Sequence, residues 1–231
     1  KVFKRSYLFT KKGYINKWRY KNGKHRAKGY SDHLPVYAYF DTKSYIVERK
    51  KQTTRKSEKK SIEDLYTIEA LDNTIELDNV VVVLKRGRNA VVKQSINGRG
   101  IYLYGCAGRL EEGRKYDLLV EGIKTYKGLK EITHAYRLKD KGMVDHEKYM
   151  LSADRFTSKN IPQNEVVKGI SGIYKNKFLY LKDKKIPIYF KKKNLTPPNG
   201  SRLKIHYAHL GYYKKIQIVI YSKKDFEIIR E

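Results

Sequence analysis

The sequence predicts a mainly β protein whose larger part folds as two small barrels in tandem, and three observations carry that expectation. Short apolar runs of strand length recur between glycines. Two groups of these runs match each other at a fixed spacing. A charged segment without apolar periodicity, 48–60, sets them apart from a basic N-terminal region.

The first group consists of 80–84, 90–94, 100–104, 116–123 and 130–136, punctuated by Gly87, Gly98, Gly108, Gly113 and Gly128. Five short strands with glycine turns predict a small barrel. The second group is 167–173, 177–181, 186–190, 202–207 and 215–221. The two align without a gap at an offset of 87 residues, the distance from Gly113 to Gly200. At that offset Ile101 meets Ile188, Tyr102 meets Tyr189, Tyr116 meets Leu203, Leu118 meets Ile205, Tyr126 meets Tyr213, Leu129 meets Ile216 and Ile132 meets Val219. The matched apolar positions alternate, as a strand with one buried face requires.

Residues 113–123, followed by Tyr126-Lys127-Gly128-Leu129-Lys130-Glu131-Ile132, resemble the last two strands of OB-like modules. The second copy has Lys215 where the first has Gly128, so its turn is expected to differ. Between the barrels, 145–151 reads as a short helix followed by a polar stretch ending at Pro162.

Charge narrows the function. The chain holds 52 Lys and Arg against 24 Asp and Glu, a formal net charge of +28 and a pI near 9.9. Counterion release drives such a surface onto polyanions, nucleic acid first. An A/T-rich genome inflates Lys and the 21 Tyr without functional cause, but it does not explain the scarcity of acids. No uninterrupted apolar run approaches the roughly 18 residues of a membrane-spanning helix. With Cys106 as the only cysteine, an intrachain disulfide and a paired-cysteine zinc site are both excluded.

Ser31-Asp32-His33-Leu34-Pro35-Val36 precedes an aromatic run, 36–40, that reads as a buried strand. Taken alone, an Asp-His pair at a strand mouth is more often a capped turn or a surface ion pair. The six residues resemble the C-terminal signature of the endonuclease/exonuclease/phosphatase superfamily, the DNase I-like phosphodiesterases. That resemblance implies that 1–47 is the C-terminal fragment of a DNase I-like α/β sandwich, joined through the linker 48–60 to OB-like barrels at 61–139 and 165–231, with 140–164 connecting them. It implies catalytic roles for His33 at the scissile phosphate and Asp32 at a metal or the attacking water, Ser31 as a supporting hydrogen bonder, and Mg2+ or Mn2+ as cofactor. The Asn, Glu and second His that the family also needs are missing, so this chain by itself is expected to be inactive.

Upstream, bases alternate with rings, and Trp18, Arg19, Lys24, His25, Arg26 and Lys28 are candidates for phosphate contacts, or equally a solvated hairpin. On the barrels, Tyr102, Tyr126 and Tyr213, with Tyr104, Tyr207 and Tyr212, are candidates for base stacking, half of them expected in the core. His206 and His209 are three apart in a strand, hence on opposite faces and no metal pair. Gly98-Arg99-Gly100 lacks the following Lys-Ser/Thr of a phosphate loop and reads as a turn. The function expected is the C-terminal part of a metal-dependent nucleic-acid phosphodiesterase, an endonuclease on DNA rather than RNA, whose barrels grip the substrate. The alternative is a non-catalytic basic nucleic-acid-binding protein; a third reading, adhesion to anionic surfaces, needs only the charge. Secretion or a periplasmic location is compatible with the intact protein.

Overall fold

The computed structural model describes residues 57–157 and 161–229, together with the backbone of Tyr20–Lys21 and Lys24–His25. The chain divides into two units, Lys1–Thr53 and Thr54–Glu231. In the first, β1 (Tyr20–Lys21) and β2 (Lys24–His25) pair antiparallel, Tyr20 opposite His25. Ser31, Asp32, His33, the strand expected at 36–40 and the side chains of Trp18, Arg19, Lys24, Arg26 and Lys28 lie outside the described residues.

The second unit holds two closed five-stranded barrels. The first contains β4 (Thr74–Arg86), β5 (Asn89–Lys93), β6 (Gly100–Leu103), β7 (Arg114–Tyr126) and β8 (Leu129–Met143), with β3 (Ser57–Lys59) added parallel to β4. Its ring order is β4-β5-β6-β8-β7, closed by β7 on β4, with the β6–β8 pair parallel. The second contains β9 (Glu165–Lys175), β10 (Phe178–Tyr180), β11 (Lys185–Phe190), β12 (Arg202–Tyr213) and β13 (Lys215–Ile220), with β14 (Phe226–Ile229) on its edge. Its ring order is β9-β10-β11-β13-β12, closed by β12 on β9, with the β11–β13 pair parallel. Both follow the OB-like strand order, so each of the ten expected barrel strands is present and the duplication extends to topology.

The alternation expected of the repeat fills each barrel. Ile101, Tyr116 and Leu118 sit in the first core; Ile188, Leu203 and Ile205 take the matching places in the second. After the last turn the 87-residue offset breaks. Tyr126 pairs with Leu129 across Lys127-Gly128, both at positive φ, whereas Tyr213 pairs with Lys215 across Lys214 alone. Along the parallel pair, Leu103 faces Ile132 and Phe190 faces Ile220. Across the hairpin, Ile123 faces Ile132 and Leu210 faces Ile218. Ile218 and Ile220, not Val219, therefore hold the core face that Ile132 holds, because an odd slip in a strand exchanges its faces.

Two elements close the first barrel's end and its side. Ser61 caps α1 (Ile62–Leu65) in a reciprocal box with Asp64, and the fully buried Ile62 and Leu65 pack into the core. On β4, Val80 and Val82 point into the barrel, while Val81, Val83 and Leu84 join Val91, Tyr102, Met150 and Val166 in a separate apolar cluster. The run 80–84 is continuously apolar because both faces of β4 are covered. The outer cover is the second barrel, through Val166 of β9, and Met150, next to a 3-10 turn at His146–Tyr149 where the short helix was expected.

Candidate nucleic-acid interface

A sealed seam between the barrels positions an open cleft beside it. Within the seam, Lys93 on β5 and Glu165 at the start of β9 form an ion pair of 2.7 Å, both side chains almost wholly buried. The other Glu165 oxygen accepts from the Gly100 backbone N–H at 3.1 Å. Burial raises the Glu165 carboxyl above its usual range, against the attraction of Lys93. Position 100 needs glycine: a Cβ there would lie 2.0 Å from the Asn164 carbonyl oxygen. The Gly98-Arg99-Gly100 turn thus serves packing, and Arg99 stacks 3.4 Å above the Tyr66 ring.

Asn164, fully buried and left-handed at φ 66°, ties the two barrels with its side chain. Its Nδ2 donates to the Tyr66 hydroxyl (2.9 Å) and the Lys130 carbonyl (2.8 Å), which leaves Oδ1 to accept from His209 Nε2 at 3.1 Å. His209 Nδ1, then unprotonated, accepts from the Tyr221 hydroxyl at 3.0 Å, and the Tyr102 hydroxyl, 3.2 Å from Tyr221, completes the chain. Burial, with the nearby Lys191 charge, lowers His209 from 6.5 to about 3. Its ring is therefore neutral and stacks on Tyr102 at 4.7 Å. At the far end, Arg86 reaches from β4 to the buried Asp225 carboxylate at 2.6 Å.

The cleft, about 610 Å³, lies beside this chain. The first barrel contributes Tyr104 after β6, Lys124 and Tyr126 from β7, and Glu131 from β8; the second contributes Tyr189 and Lys191 at β11 and Tyr213 from β12. Tyr104, Tyr126, Tyr189 and Tyr213 are each about half exposed. Ammonium groups lie against the rings: Lys124 Nζ is 4.9 Å from the Tyr126 ring, and Lys127 Nζ is 5.4 Å from Tyr126 and 5.1 Å from Tyr213. The wall is kept close by glycine. Gly128, at φ 90°, faces the Tyr212 ring, which a Cβ would meet at 2.5 Å. A second hollow of about 750 Å³ shares Tyr104 and Lys124 with the cleft and adds Arg88, Arg109 and Arg137, extending the basic surface along the first barrel. Cys106 in its wall is pushed up to about 11 by burial, so its thiol stays protonated at neutral pH.

Of the expected stacking residues, the structure brings Tyr104, Tyr126, Tyr212 and Tyr213 together in this cleft. Tyr102 only edges it; its ring face is taken by His209, and it is 6% exposed. Tyr207 turns to the other side, where its hydroxyl donates to Glu147 at 2.8 Å. His206 and His209 do point apart: His206 approaches Glu227 at 4.0 Å while His209 is buried in the seam. Sequence reasoning missed Lys124, Lys127, Glu131, Tyr189 and Lys191; only Tyr189 had a signal, its match to Tyr102. Among the described residues no group of three His, Cys, Asp or Glu could hold a metal ion, so no step can be built through Mg2+ or Mn2+ on them. Nor is any described helix long and apolar enough to cross a membrane.

No protein-family model and no curated protein matches the sequence. Among solved structures, the chain is similar to a murine DNA-binding protein bound to double-stranded DNA, at 11% identity and a TM-score of 0.37 over 71% of this chain and 97% of that one. It is also similar to the p204 HINb domain, at 13% identity and a TM-score of 0.31 over 70% of this chain and 94% of that one. Similarity at this level carries no functional argument, which rests on the cleft.

Proposed function

We propose that the protein binds single-stranded nucleic acid in the cleft between its barrels. One observation carries this reading: four half-exposed tyrosine rings, two from each barrel, converge in a single basic concavity with lysine ammonium groups against them. Unpaired bases stack on such rings whatever their identity, and the ammonium groups hold the backbone between them. A duplex hides its base faces and would meet only the lysines. Arg88, Arg109 and Arg137 give the backbone a continuation beyond Tyr104.

Fluorescence anisotropy with labelled oligonucleotides tests this directly, DNA against RNA and single strand against duplex. The expected result is tighter binding of single strands, with a log-log salt slope of about −2 or steeper for three or more phosphate contacts. Equal affinity for duplex and single strand would remove the stacking argument.

A second reading, phosphodiester cleavage by a DNase I-like site, is favoured by Ser31-Asp32-His33-Leu34-Pro35-Val36. In it the barrels are a substrate grip and His33 acts at the phosphate. Nicking of supercoiled plasmid in Mg2+ or Mn2+ by an N-terminally extended protein, lost in His33→Ala, supports cleavage; no nicking with binding intact leaves the binding function alone.

A further inference from the structure

Glu131 has no evident place in a polyanion-binding cleft. The chain carries 52 basic residues, yet this wall presents a carboxylate between Lys124 and Lys191. Glu131 is only 4% exposed, and its side chain makes no hydrogen bond or ion pair with the described residues. Its carboxyl oxygens are not sealed inside the protein but open onto the cleft, where a bound ligand is the donor they can meet. The second barrel shows that the fold does not demand it. Glu131 faces Tyr102 in the parallel pair of the first barrel, and Val219 faces Tyr189 in that of the second.

We propose that Glu131 selects the base held in the cleft and that it favours guanine. This rests on the cleft being a single-strand site. Burial raises the Glu131 carboxyl, while the Lys124 and Lys191 charges draw it towards the ionised form, in which it only accepts hydrogen bonds and takes base N–H groups rather than phosphate. Guanine offers two adjacent donors, N1–H and the 2-amino group, which a carboxylate takes in parallel. Adenine and cytosine offer an amino group beside an acceptor nitrogen, and thymine or uracil one N–H between two carbonyl oxygens, which oppose the second carboxylate oxygen. The base stacks on a tyrosine of the cleft while its Watson–Crick edge meets Glu131.

The test uses the full chain and anisotropy with a thymidine tract, the same tract with one central guanine, and that guanine replaced by inosine, which keeps N1–H and lacks the amino group. Wild type should bind the guanine tract on the order of tenfold tighter than the plain tract, with inosine intermediate. In Glu131→Gln the ratio should collapse towards one. If wild type binds all three with equal affinity, the guanine proposal fails and the cleft reading stands. If no tract binds, the cleft reading itself fails. A guanine preference that survives Glu131→Gln overturns the assignment to this residue; the inosine comparison needs no variant, so it holds even if that variant folds poorly.

Discussion

The two barrels share a strand order and a core pattern but treat the same outer face differently. On the β6–β8 face of the first, Tyr102 is buried against His209 and Glu131 stands beside it; on the matching β11–β13 face of the second, Tyr189 is half exposed and Val219 stands beside it. The first barrel's last hairpin turns through Lys127-Gly128, the second's through Lys214 alone. The two barrels are equivalent frames that carry different additions, β3 and α1 on the first and β14 on the second, and the differences that shape the cleft lie on the face where the barrels meet. One copy gave a ring to the seam and an acid to the cleft, while the other kept its ring open to the cleft. Asymmetry of this kind turns two copies of one barrel into a single site, provided the seam holds them in fixed relation.

Breaking the seam should therefore have the largest effect. Lys93 and Glu165 are a wholly buried pair, and removing one partner leaves an uncompensated charge. Lys93→Met is expected to cost about 3–5 kcal/mol in urea unfolding. Adding Glu165→Gln, which removes the stranded charge and keeps an acceptor for the Gly100 N–H, should recover most of that loss. A double variant no more stable than the single one would show that the pair is not what couples the barrels.

Acid should loosen the same seam from the other end. In the unfolded chain His209 titrates near its ordinary 6.5, and burial holds it at about 3 in the fold. Between those values the unfolded chain binds a proton that the folded one refuses, so stability falls as pH drops, by about 1.4 kcal/mol per unit. At pH 4 the loss is on the order of 3 kcal/mol. Tm measured from pH 7 to pH 4 should fall less steeply in His209→Gln, whose amide can donate to Asn164 without charging. Parallel slopes would assign the acid sensitivity to other groups.

How much of this was legible in the sequence follows from what periodicity can encode. The ten barrel strands were readable because each turns at least one face to a core, and in the first barrel glycines punctuate the runs. The match of Ile132 to Val219 failed because a difference of one turn residue is invisible to a gapless alignment, yet it exchanges strand faces. The four-residue α1 was too short for a helical period, although Ser61 and Asp64 stood ready as its cap. Tyr126 and Tyr213 were found through the repeat, whereas Lys124, Lys127 and Lys191 look like any solvated lysine until the barrels pack. Glu131 was hidden for the same reason: beside Lys130, an acid reads as surface charge. His209 stood out only as one half of a dismissed metal pair, since its role depends on Asn164 and Tyr221 from distant parts of the chain.

The subtlest comparison sets the barrels' equivalent rings against each other. Tyr126 and Tyr213 occupy the same place at the ends of β7 and β12, are 48% and 49% exposed, and share the Lys127 ammonium between them. If each stacks one base, Tyr126→Ala and Tyr213→Ala should weaken a single-stranded oligonucleotide by similar amounts, about 1–3 kcal/mol each. Tyr207→Ala, whose ring faces Glu147 away from the cleft, should leave affinity as it is. The double variant discriminates between two modes of use. Additive losses mean that the rings hold separate bases, whereas a double loss no larger than either single one means that they clamp the same base from opposite barrels. Unequal single losses would mean that the site is carried by one barrel and that the second acts only as its wall.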